Sequence, residues 1–212
     1  MILSLIILSF TTGCGEEKII GTPDKAIVAY AEIVMTGDSA NLSAAGFSEE
    51  DKNSIRQAVT SVFIGRMENV TPLSDAATQE LAQIYFDKLK GNVTFATTVK
   101  SASDEPVVAL TTTPIDSATS AKTAAANNDE LIALIGMVGK LKADGATDDN
   151  LKNNPDVQNL AVKAFSKYIA SISLKPEETF DIPCKKVTGA DGKAHWMPAE
   201  GKVLIDALIG QK

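Results

Sequence analysis

Residues 92–114 read NVTFATTVKSASDEPVVALTTTP, and their period decides the fold. Val93, Phe95, Thr97 and Val99 alternate with other residues, and β-branched side chains are frequent; this is the two-residue period of a strand. SASDEP, residues 101–106, is turn chemistry. VVALTTTP, residues 107–114, then reads as the partner strand, closed by Pro114. A hairpin over about 92–100 and 106–114 follows. Because the flanking sequence has helical spacing, the chain belongs to the α+β class.

Upstream, three helices are expected. Thr22-Pro23-Asp24 is a helix start: Thr as N-cap, Pro at the first helical position, and an acid at the positive end of the dipole. Ile27, Tyr30, Ala31 and Val34 share a face, and Gly37 stops the helix. A second helix starts at Ser48, with Asp51 three positions on in the manner of a capping box. It carries Ile55, Val59, Val62, Phe63 and Met67 as its stripe. The third starts near Ser74, shows Ala77, Leu81, Ile84, Tyr85 and Leu89, and ends at Gly91.

Downstream, residues 117–175 read as a helical insertion. One helix carries Leu131, Leu134, Ile135, Val138 and Leu141, interrupted by Gly136 and Gly139. Another, after Pro155, carries Val157, Leu160, Ala161, Ala164, Phe165, Tyr168 and Ile172. A second hairpin follows over about 177–187 and 193–198: Phe180, Ile182 and Cys184 alternate, and Asp191-Gly192 supplies the turn. Pro183 confines its strand to an edge or a bulge. Val203, Leu204, Ala207 and Leu208 mark a closing helix. Leu81, Ala82, Phe86 and Lys88 recur as Leu160, Ala161, Phe165 and Lys167; duplication and shared packing rules both account for this. Union of the two hairpins in one antiparallel sheet is expected, because a lone hairpin is only marginally stable.

Composition bounds the partners. With 212 residues, 44% of them hydrophobic, the chain can bury a substantial core. Its mean hydropathy of +0.04 and 22% charged residues exclude wholesale disorder. A net charge of −7 argues against nucleic acid and anionic headgroups as partners.

The N-terminus reads as an address. Ile2 to Phe10 is apolar apart from Ser4 and Ser9, which is too short for a bilayer span and the right size for a signal-peptide core. Thr12, Gly13 and Cys14 resemble the end of a bacterial lipobox, with Cys14 as the lipidated residue. The segment departs from that pattern in two places: Thr11 stands where Leu is preferred, and no Lys or Arg precedes Lys18. The resulting division is a signal peptide over 1–13, a lipidated tether over 14–21, and a single α+β domain over 22–212. A buried N-terminal strand is the competing reading. Once Cys14 is lipidated, Cys184 is the remaining thiol and no internal disulfide is available.

Several stretches together resemble a group of bacterial lipoproteins of unassigned function with an NTF2-like or cystatin-like fold. They are Cys14, TPDKAIVAYAEIVMTGDSANL (22–42), VVALTTTPID (107–116), GADGKAHW (189–196) and LIDALIGQK (204–212). The resemblance implies helices on one face of a curved four-stranded antiparallel sheet, whose concavity would serve as a pocket. It carries no catalytic motif.

The chemistry on offer is sparse. His195 is the single histidine; it is either a general base or, without a partnering nucleophile motif, a surface or rim residue. A zinc site would need more histidines or a cysteine cluster. Asp144, Asp148 and Asp149 read as a solvated turn, lacking the glycine and distal glutamate of an EF-hand loop. No cofactor motif occurs. Cys184, in phase with Phe180 and Ile182, is expected to be buried and unpaired, and Trp196 to pack against the helices or line a pocket. The expected function is a non-enzymatic, membrane-anchored, extracytoplasmic binding module for a small molecule, peptide or envelope partner. The alternative is a structural or chaperone-like envelope protein that works through protein contacts without a pocket.

Overall fold

The computed structural model describes residues 19–126, 128–189 and 192–210. Cys14, the signal peptide and Asp191 of the second hairpin turn lie outside the described residues. The elements in order are β1 (Ile19–Ile20), α1 (Pro23–Thr36), α2 (Leu42–Ala45), α3 (Glu49–Glu68), α4 (Asp75–Leu89), β2 (Phe95–Ser101) and β3 (Val107–Thr112). They continue with α5 (Ser117–Ala126), α6 (Asp129–Ala143), α7 (Asp148–Lys152), α8 (Pro155–Ala170), β4 (Glu178–Thr188), β5 (Ala194–Pro198) and α9 (Gly201–Leu208).

The two hairpins do join. β3 pairs antiparallel with β4, with Val108 opposite Ile182 and Leu110 opposite Phe180. The sheet is nevertheless five-stranded and mixed, in the order β1-β5-β4-β3-β2, rather than four-stranded and antiparallel. The extra strand, Ile19–Ile20, runs parallel to β5 and lies in the stretch assigned to the tether. Two residues are too few to show a period. What seats them is Gly46, φ +85°, whose missing side chain leaves room for Ile20 and His195.

The helices are stacked in successive layers. α1 lies against β2, β3 and β5, and α4, α8 and α6 stack successively behind it. Ala26, Ile27, Tyr30, Ile33 and Val34 of α1 are at most 3% exposed, so the helix is buried nearly all round. The concavity expected from the resemblance is therefore filled by α1 side chains. Within the insertion, Leu134 and Val138 are buried but Ile135 is 54% exposed, because α6 packs chiefly on α8 and Ile135 lies off that face. The helix starts are as expected at Ser48, where the Ser48–Asp51 capping box is complete, and at Ser74, which accepts from the Ala77 N–H. Thr22 occupies the N-cap position of α1 without a side-chain cap bond.

Candidate functional site

β4 builds the site. It has 11 residues, longer than either neighbour, and changes partner along its length. Its first half, 178–183, pairs with β3 and its second half, 184–188, with β5. Pro183 stands at the hand-over. Its carbonyl accepts from the Ala199 N–H at 2.8 Å, while the Cys184 N–H donates to Pro106 on the other flank at 2.8 Å. The N–H that proline lacks would have served the last rung of the β5 ladder, which explains its place in a strand interior to the sheet. The expectation of an edge is corrected for the strand as a whole and met on one flank: over 178–182, ahead of Pro183, the β5 side of β4 is an edge.

α9 stands opposite that edge. Gly201 starts it against Tyr30, whose hydroxyl would lie 2.6 Å from a Cβ at that position. At the far end, the Ile115 N–H donates to the Leu208 carbonyl, and a Cβ on Gly210 would overlap the Ile115 carbonyl oxygen. Anchored at both ends, α9 keeps off β4 and leaves an open groove of about 530 Å³. Phe180, Ile182, Leu204 and Ala207 form its apolar surface, and Val203 is a half-exposed lip. Asp181 and Glu200 add two carboxylates. Asp181 is paired with Lys100 at 2.6 Å, whereas Glu200 has no ion partner among the described residues. The volume is that of a ligand site, but its openness suits an extended occupant better than an enclosed one.

The residues singled out by sequence lie elsewhere. His195 is 1% exposed, neither surface nor rim, because β1, Gly46 and Phe47 cover it; Phe47 meets its ring edge-on at 5.2 Å. Its Nε2 is 3.9 Å from Asp51 Oδ2, and neither ring nitrogen has a hydrogen-bond partner among the described residues. Asp51 Oδ2 accepts from the Ser48 N–H and hydroxyl, at 2.8 and 2.6 Å. The order hydroxyl–carboxylate–imidazole puts the acid in the middle, so Ser48 has no imidazole to take its proton. Cys184 is buried and free, as its phase requires, and burial pushes its thiol up to about 11, countered in part by a backbone hydrogen bond at Val108. Trp196 is buried in the core with Lys186 Nζ 5.5 Å from its ring, and does not line the groove. Asp148 and Asp149 lie in the first turn of α7, capped by Thr147, with Asp148 3.2 Å from Lys142. Among the described residues no three metal-ligating side chains converge. Sequence reasoning did not name the groove, although Pro183 was its signal.

A second apolar feature lies at the opposite side of the helical layers. Phe63, Met67, Val70, Leu131, Phe165 and Tyr168 border a notch of about 190 Å³. Beside it, Ile132 and Ile135 of α6 are 68% and 54% exposed.

Fold and site together define an α+β domain with an open strand-edge groove. No protein-family model and no curated protein matches the chain. Among solved structures it is similar to a Bacillus subtilis protein described as a "putative lipoprotein (ycdA)", with a TM-score of 0.58 and 17% identity. The match covers 88% of this chain and 56% of that one, so this chain spans a little over half the length of its neighbour. At that identity the likeness is one of fold.

Proposed function

We propose that the chain is an extracytoplasmic lipoprotein, anchored through Cys14, and that it acts as a non-enzymatic binding module whose ligand lies in the groove between β4 and α9. The groove is the observation that carries this reading. The apolar run ahead of Cys14 supports the anchor, as does the fold shared with the Bacillus subtilis chain; no helix among the described residues is long and apolar enough to cross a membrane. Ile19 lies where β4 and β5 join, and the groove flanks the opposite half of β4. Ile19 follows Cys14 by five peptide steps, which reach at most about 18 Å. An anchored domain would thus ride near the membrane with its groove turned outward.

Catalysis has little support, since the one histidine is buried against a capping aspartate and faces no nucleophile. The test uses the full chain carrying Cys14→Ser, which removes only the lipidation thiol. Nitrogen-labelled protein is titrated with mixtures of small metabolites and of short peptides. Shifts gathered at Phe180, Val203 and Leu204 are expected. Shifts gathered instead at Ile132 and Ile135, with the groove silent, would favour the second reading, a partner-docking protein that works through the α6 face.

A further inference from the structure

Resting on the groove as the binding site, the geometry points to a specific class of occupant: an extended peptide that adds to β4 as a sixth strand, with a basic residue at its N-terminal end. The argument starts from the hydrogen-bond parity of an antiparallel strand, in which successive residues turn their backbone groups to opposite flanks. The Cys184 N–H donates toward β3 and the Pro183 carbonyl accepts from the β5 side. Hence Phe180 and Ile182 address β3, whereas Thr179 and Asp181 address the β5 side. β5 is no longer there, because the chain leaves the sheet at Ala199 and enters α9 at Gly201. No backbone hydrogen bond from Thr179 or Asp181 outside the β3 ladder occurs among the described residues. Two donors and two acceptors thus line one wall of the groove in strand register.

The occupant's direction and chemistry follow from the same frame. Continuing β5 makes the added strand antiparallel to β4, with its N-terminal end beside Ala199 and Glu200. Residues facing Asp181 and Thr179 exchange N–H and C=O bonds with them. The intervening residues, opposite Ile182 and Phe180, share the apolar surface with Leu204 and Ala207. Glu200, exposed and without an ion partner among the described residues, meets the peptide's first side chain and favours Lys or Arg there. Four residues of strand, about 14 Å, span 179–182, and the basic residue precedes them beside Glu200. Strand addition draws affinity from main-chain bonds and specificity from alternate side chains, which is the division found in this groove. A free edge is also an aggregation hazard, and α9 as a standing wall admits one strand while shielding the edge from a second sheet.

The probe is acetyl-Lys-Val-Thr-Val-Thr-amide, titrated against the full chain carrying Cys14→Ser and followed by amide shifts and calorimetry. Two controls isolate the backbone: the same peptide N-methylated at its third and fifth residues, and Thr179→Pro in the protein, a substitution on the flank that already carries Pro183. Saturable shifts at Thr179, Asp181 and Val203 are expected, with N-methylation weakening binding at least about tenfold. Glu200→Lys should weaken it several-fold at low salt. Equal binding of the methylated and unmethylated peptides in the groove would overturn strand addition while leaving the groove a binding site. No shift in the groove with either peptide would overturn strand addition too, and the mixture titration above then decides the broader reading by itself.

Discussion

Cys184, Tyr30 and Tyr85 are buried groups whose neutral forms the fold prefers. Desolvation raises Tyr30 to about 12 and Tyr85 further still, and holds Cys184 near 11 against its ordinary 9.0. In the unfolded chain these protons leave at lower pH, so the stability they lend is complete below pH ~9 and is lost as pH rises toward 11. The urea midpoint should be level from pH 7 to 9 and then fall, with Cys184 contributing on the order of 2 kcal/mol. Cys184→Ala should flatten the first part of that fall. Ser48 belongs to the same scale. Its hydroxyl accepts from the Asp51 N–H at 3.1 Å, and Ser48→Ala should cost about 1 kcal/mol in chemical denaturation. The burial of Cys184 was legible because its phase with Phe180 and Ile182 follows from the backbone. That of His195 was not, since it depends on Gly46 and Ile20, which are remote in sequence.

Among the elements, β1 and β4 show where local pattern ends. β1 has no readable period, and its existence rests on Gly46, where a Cβ would come within 2.9 Å of both Ile20 and His195. Gly46→Ala combines that clash with a strained positive φ. It should destabilise by about 1–3 kcal/mol and speed amide exchange at Ile20 more than at Leu110. Helix starts were legible because capping is a local bargain between a side chain and the next turn, as at Ser48 and Ser74. The exposed face of α6 was not, because Ile135 shares its stripe with the buried Leu134 and Val138 and differs only in lying off the face that packs on α8. Pro183 marks both the reach and the limit of the sequence: it announced an edge without saying which flank of β4 was meant.

At the scale of the whole molecule, the union of the hairpins was foreseeable from the instability of either alone, and the groove was not. It arises from three separated features: β5 ending at Pro198, Gly201 starting α9 against Tyr30, and Gly210 seating its end beneath Ile115. The anchor is tested at this scale too: Cys14→Ser should move the protein from membranes to soluble fractions, and a variant that remained bound would remove the lipoprotein reading. The central claim, an open edge on β4 that a peptide strand completes, is tested most directly by residue-resolved amide exchange across 178–184. In the free protein Phe180, Ile182 and Cys184 should be protected by β3, and Thr179 and Asp181 should exchange at rates near those of loops. Saturation with acetyl-Lys-Val-Thr-Val-Thr-amide should slow those two amides and leave the other three unchanged. Protection of Thr179 and Asp181 already in the free protein, equal to that of their neighbours, would contradict the account.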